Sequence, residues 1–355
     1  MSAPAPSPAR VTPWLRRGLV LAAAVAACVL VLRRVDQDQL LSALAAADLR
    51  LVGLAVLLNL TLNTWARARR WKCLLEPLPR TGPAPGTLDL AMLLFASQTV
   101  SNLLPARAGD ALRVVVPQRR YGFSFGGLVA VHLVEKLIEV AVLALLAAPI
   151  ALAAGPTSSP AVRRALLIFC AVVAVAVALV WRAAGPLPGA TGPWAWLVRA
   201  CGHISPSLSG ALEQFLTRLG EALSLLRAPR TWTRALAWSL LNDLADACMI
   251  GACLAAVGLH LSVAAWFLVL VAVNVAVAFP STPGQIGVLE AGAVLSLASM
   301  QVNEGAALAA ALLYHASHLV PVTLLGLVEL LRLGGSGSGG GGSWPGEPGR
   351  ASSAE

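Results

Sequence analysis

The sequence predicts an all-α, polytopic membrane helix bundle with broken or re-entrant helices, and three observations predict it. Apolar residues fill 57% of the 355 positions and charged ones only 12%, about half of the ~25% charged share of a soluble domain. Apolar runs near the ~20 residues that cross a ~30 Å hydrocarbon core recur along the chain. Two of the runs are cut by proline and glycine, in LLPARAGD at 103–110 and AFPSTPGQ at 278–285.

Residues 1–13 read as a Pro/Ala tail, and Leu15 to Leu32 as an uncleaved first span, because Arg33 and Arg34 follow an apolar run too long for a signal peptide. The second span runs from about Leu49 to Ala66 and ends in Arg67, Arg69, Arg70 and Lys72. Leu88 to Leu104 is a short third stretch, closed by Pro105 and Gly109, with Arg107, Asp110 and Arg113 around the break. Phe123 to Ala154 and Ala161 to Trp181 are further spans. Between them and the next span, Leu212, Phe215, Leu216, Leu219, Leu223 and Leu226 share one face of a surface amphipathic helix near 208–226. Thr231 to Val257 spans again. Leu261 to Phe279 and Gly287 to Ser299 are separated by Pro280, Pro283, Gly284 and Gly287, and Glu304 to Leu331 is the last span. The membrane domain therefore covers 14–333, followed by a Gly/Ser-rich tail over 334–355.

Charge placement orients these elements. Cations concentrate at Arg67 to Arg80 and at Arg182 to Arg234, and cationic loops favour the cytoplasmic side. Both regions stay on one side only if Leu88 to Leu104 enters and returns without crossing. Parity then makes the 261–299 pair a second re-entrant hairpin from the other side. The shared Pro/Gly spacing of the two breaks supports an inverted repeat, and aligning Gly126 with Gly305 sets Glu135, Lys136 and Glu139 over Tyr314, His315 and His318. Such repeats place a binding site at the midplane between broken helices.

A broken segment survives at membrane depth only where protein or a wet cavity satisfies its backbone, although an interfacial loop would carry the same residues. Ionisable groups inside spans face cavities or one another. Glu135, Lys136 and Glu139 form such a constellation, as do Asp243 and Asp246 beside Asn242, each with interhelical packing as the alternative. Asn59, Asn63, Arg67 and Arg70 recur at helical spacing, and a guanidinium fork suits a phosphate headgroup; interfacial arginines flanked by belt residues Trp65 and Trp71 are the competing account. His315 and His318 share a face without a third ligand, so no metal is expected. The charge of +9 comes from arginines near spans, which points to membrane orientation and away from nucleic acid. No catalytic signature is found, and no cofactor is expected.

Asn59, Arg67, Arg70, Trp71 and Leu74, the SNLLPARAGDALRVV stretch with Asn102, Pro105, Arg107, Gly109, Asp110 and Arg113, the Glu135 helix, and FPSTPGQIGVLEAGAV with Pro280, Pro283, Gly284, Gly287 and Glu290 together resemble the lysylphosphatidylglycerol synthase transmembrane-region family of flippase-like domains, over roughly residues 15–332. The resemblance implies a membrane domain that moves or presents a lipid, such as an aminoacylated phospholipid or a polyprenyl-linked sugar. Arg107, Asp110, Arg113, Gly284 and Glu290 become cavity residues by similarity, and Gln285 and Ile286 stand where relatives often carry glycine. Family synthases add a soluble aminoacyl-transfer domain, which a chain ending in a Gly/Ser tail is not expected to have. The expected function is binding and translocation of an anionic phospholipid or polyprenyl-linked lipid in the plasma membrane. The alternatives are a membrane-embedded enzyme or accessory of polyprenyl-phosphate sugar metabolism, working with a glycosyltransferase or as a homo-oligomer, and a structural protein without a ligand.

Overall fold

A computed structural model describes residues 37–104, 108–153, 160–183, 210, 224, 228–278 and 282–335. The predicted N-terminal tail, the predicted C-terminal tail beyond Gly335, the predicted first span, nearly all of the predicted amphipathic helix, and the break residues Pro105, Arg107 and Pro280 lie outside the described residues; Gly334 and Gly335, assigned to the tail, are the last residues of a helix instead. The described chain is helical without strands: α1 (Gln37–Ala45), α2 (Leu49–Leu58), a π-helical turn (Asn59–Asn63), α3 (Thr64–Leu75), α4 (Thr87–Leu103), α5 (Gly109–Tyr121), α6 (Phe125–Ala153), α7 (Pro160–Ala183), α8 (Pro229–Ala256), α9 (Val263–Ala278), a 3-10 turn (Pro283–Gln285), α10 (Val288–Ala298) and α11 (Glu304–Gly335).

Asp48 starts α2 by accepting a hydrogen bond from the Arg50 N–H at 2.9 Å, one of the orphan donors every helix start must satisfy. From there the helix continues unbroken through Leu75, 27 residues in all, or ~40 Å at 1.5 Å per residue. The expected end at Ala66 is thus too early, because arginine is a good helix former and the helix continues through the cationic cluster. Arg67 and Arg70 are consequently side chains of a spanning helix and not of a loop.

Three described helices are long and apolar enough to span: Leu49–Leu75, Pro229–Ala256 and Glu304–Leu333. Of their most apolar windows, 61% is buried in α8 against 28% and 33% in the others, so α8 is the hub of the bundle. It packs on α2, α3, α6, α9 and α11.

The two broken segments are hairpins. At 17, 16 and 11 residues, α4, α9 and α10 reach only about 25, 24 and 16 Å, short of a ~30 Å core. In the first hairpin, α5 returns along α4 so closely that a Cβ on Gly109 would lie 1.7 Å from the Ser97 carbonyl oxygen; glycine is the residue that permits this approach. The Ser97 hydroxyl donates to the Gly109 carbonyl at 2.8 Å. The chain leaving α5 meets the chain entering α4, with the Gly82 N–H donating to Tyr121 O at 3.0 Å and a bridge between Arg80 and Phe123. The segment therefore ends where it began, as the re-entrant reading requires.

The second hairpin turns through three residues in the left-handed region, Gly284 (φ 66°), Gln285 (φ 60°) and Gly287 (φ 85°). Gly287 opens α10, where its N–H donates to Glu290 Oε2 at 2.7 Å. This turn packs on α4, and Gly284 faces the Asn102 carbonyl near the tip of the first hairpin. Beyond the breaks, α4 packs on α11, the long helix that follows the second break, and α9 on α6, the long helix that follows the first. Two apolar clusters hold the bundle, one around Trp71, Leu90 and Ile138 and one around Met249, Leu270 and Leu297 that also takes in Ala55, Leu143 and Leu166 from the earlier helices.

Candidate functional site

Between the hairpins lies a cavity of about 270 Å³, lined by the π turn, α3, α4, α5, α6, α8, α9, the 283–285 turn, α10 and α11. Its polar wall includes Asn63, Arg67, Asp110, Arg113, Lys136, Glu139, Asp243, Asp246 and His318. The structure thus brings nine of the sequence-derived candidates to one space, from five helices and the π turn.

The π turn positions the first of them. Its wider winding, seen often at functional sites, turns both Asn59 and Asn63 inward, where each is 1% exposed. Asn59 is tied to α11, its amide donating to the Ser317 carbonyl at 3.1 Å, and so holds the wall without lining it. Asn63 and Tyr314 both approach the Asp246 carboxylate at the cavity wall.

Behind the wall is a buried charge network. Arg70, 1% exposed, donates from Nη2 to Glu135 Oε1 at 2.8 Å and also to Glu139, and from Nη1 to Ser239 Oγ at 3.1 Å. The second oxygen of Glu135 accepts from Arg113, whose guanidinium stacks on Trp71 at 4.6 Å. Lys136 donates to Glu139 at 2.9 Å. Burying a charge is tolerable only when it is paired, and each charge here is paired within the network. Arg70 and Glu135 are therefore structural to the wall and turned away from the cavity. Trp71, 2% exposed, is no belt residue; its ring carries Arg113. Trp65, at 46%, keeps the exposure a belt residue needs.

Arg67 differs from its neighbours. Its Nη2 donates to Gln98 Oε1 at 3.0 Å, and among the described residues no carboxylate pairs with it. On the opposite wall the Asn242 amide donates to Asp243 Oδ1 at 3.0 Å, while Asp243 Oδ2 and His318 Nδ1 are buried without a partner among the described residues. Asp110 lies 3.6 Å from His132 Nε2. The remaining candidates stand apart: Asn102 donates to Thr323 Oγ1 at 3.1 Å, and Glu290, His315 and Gly284 form a cluster at the second break. Of the HxxH pair, His315 turns to that cluster and His318 to the cavity, so the two do not converge.

Residues 18–326 match the family described as the lysylphosphatidylglycerol synthase TM region. The chain belongs to this family. The match covers both hairpins and every residue that lines the cavity, and it identifies the chain as the membrane region of the lysylphosphatidylglycerol synthase type. No curated protein matches the chain.

Sequence reasoning missed Ser97, Gln98, Ser101 and Asn274, which also line the cavity. A signal existed: Ser97 and Ser101 are one turn apart in an apolar helix, and Asn274 interrupts a Val/Ala run.

Proposed function

We propose that this membrane domain takes the phosphate-bearing headgroup of an anionic phospholipid or polyprenyl-linked lipid into the cavity and passes it between leaflets of the plasma membrane, while the acyl chains stay in the surrounding hydrocarbon. The observation that carries the reading is the charged cavity at the meeting point of two hairpins too short to cross. A spanning protein gains nothing from charged groups at this depth unless a polar ligand or water meets them. The volume suits a headgroup and excludes lipid tails.

Arg67 is the residue to engage phosphate, because its guanidinium is engaged by a neutral amide instead of a carboxylate and a fork-shaped donor pairs bidentately with phosphate oxygens. Arg113 and Lys136 add positive potential from partly neutralised positions. Asp243 and Asp246 face them and limit how tightly an anion is held, which a carrier needs for release. Reconstitution in proteoliposomes with fluorescent phosphatidylglycerol and a fluorescent polyprenyl phosphate tests the proposal. Protein-dependent movement lost in Arg67→Gln is expected; no movement of either lipid by folded protein would refute it.

A further inference from the structure

The Glu290–His315 cluster lies outside the cavity wall, yet its hydrogen bonds fix how many protons it holds. His315 Nδ1 is 2.6 Å from Glu290 Oε1, and Nε2 is 2.8 Å from the Gly284 carbonyl oxygen. The other carboxylate oxygen of Glu290 is occupied by the Gly287 N–H at 2.7 Å. A carbonyl oxygen only accepts, and an ionised carboxylate only accepts, whereas a neutral imidazole has a single N–H. With both groups in those forms, one ring nitrogen would set its lone pair against an oxygen. Both contacts are satisfied together only when the pair holds one additional proton, on His315 Nδ1 or on Glu290 Oε1.

We infer that Glu290 and His315 form a proton-binding site that locks the second break, and that loss of its proton frees the break and so couples headgroup movement to proton movement. The coupling rests on the transport reading above; the proton site does not. The backbone here is primed to move, since Gln285 holds a left-handed conformation that side chains other than glycine disfavour. Gln285 lines the cavity, and Gly284 abuts Asn102 at the other hairpin's tip. When the proton leaves, Glu290 becomes a carboxylate and His315 a neutral imidazole, and the ring keeps a donor for only one of its two acceptors.

The surroundings leave this pair as the titrating unit of the break. Neither α9 nor α10 carries another charged side chain, and α4 presents neutral Asn102. From α11 the nearby titratable groups are Tyr314 and His318, with Arg67 on α3 acting on His318 and Asp246 on α8 facing Tyr314. His318, one turn along α11, lines the cavity, and its Nδ1 makes no hydrogen bond among the described residues. The locked form binds one more proton than the open form, so it is favoured as pH falls and lost as pH rises, by up to tenfold per pH unit.

Hydrogen exchange over residues 282–290 of the full-length protein in lipid nanodiscs, followed from pH 6 to 9 and corrected for intrinsic exchange, reads the lock directly. Glu290→Gln supplies the comparison: the new amide accepts from the Gly287 N–H and donates to His315 Nδ1, leaving Nε2–H for Gly284, so every contact is met without a titrating proton. Wild-type protection should fall about tenfold per unit above the titration point while the variant stays flat. Parallel curves for the two proteins would overturn the inference. Should the variant not fold, ring nitrogen chemical shifts of His315 and the carboxyl band of Glu290 in the wild type decide instead: a bare ring nitrogen beside an ionised Glu290 at pH 6 would overturn it equally. Protection that tracks pH in a protein that moves no lipid would keep the proton site and remove the transport reading.

Discussion

Replacing Glu135 by alanine should be among the most destabilising single changes in the bundle, and the structure sets its size. Glu135 is 1% exposed and its two oxygens serve different arginines, Arg70 and Arg113. Removing one partner of a buried ion pair costs about 3–5 kcal/mol, because a charge is left uncompensated. Two features pull this case toward about 3 kcal/mol: Arg70 keeps Glu139 and Ser239, and Arg113 keeps the Trp71 face and borders the cavity. The assay is equilibrium unfolding in mixed micelles as a double-mutant cycle with Arg113→Ala. If the pair is coupled as the geometry indicates, the double variant is barely less stable than either single one, with an interaction energy close to a single loss, about 3 kcal/mol. A single-variant loss under about 1 kcal/mol, or additive singles, would show that the network does not hold the wall and that its short contacts carry no energy.

Three further outcomes follow from the packing and the cavity. Gly109→Ala should lower the thermal midpoint strongly, since overpacking costs about 1–3 kcal/mol and here the new Cβ meets backbone; Gly53→Ala, with nothing within 4 Å, should gain up to about 1 kcal/mol. Gln285→Gly should raise stability by up to about 1 kcal/mol by relieving a left-handed side chain whose cost is about 1–2 kcal/mol, and an unchanged unfolding midpoint would contradict that. Arg67→Gln should reduce anionic lipid retained in native mass spectrometry about tenfold, as expected for losing a charge-assisted hydrogen bond worth about 1.5–3 kcal/mol, while Arg69→Gln, whose guanidinium stacks on Trp238, should leave retention unchanged.

The sequence carried the membrane class and both breaks clearly, because apolar runs and Pro/Gly punctuation are local signals. The charge-balance argument that made Leu88 to Leu104 re-entrant agrees with a hairpin whose ends lie side by side at Arg80 and Phe123. The return leg α5 was not legible as a helix: Arg113, Arg119 and Arg120 suppress its hydropathy, and Arg113, stacked on Trp71, sits on its buried face beside Pro117 and Tyr121. Side-chain direction was equally hidden. Arg67 and Arg70 look alike in the sequence, yet three residues of helical rotation send one to the cavity and the other into a carboxylate pair. Asp243 and Asp246 were readable because acids in an apolar span stand out, whereas Ser97, Gln98 and Ser101 were not, since small polar residues are common in helix interfaces.

The seam between α4 and α11 bears on biogenesis. Gly326 lets the two helices touch so closely that a Cβ there would lie 2.2 Å from the Phe95 carbonyl oxygen, and Thr99 donates its hydroxyl to Val322, 223 positions later in the chain. During synthesis, this face of α4 therefore waits for α11, whose contact residues follow more than 200 positions later. Closing that seam is therefore a late, long-range step of assembly, and substitutions at Gly326 or Thr99 are expected to lower the yield of folded protein in the membrane as well as its stability.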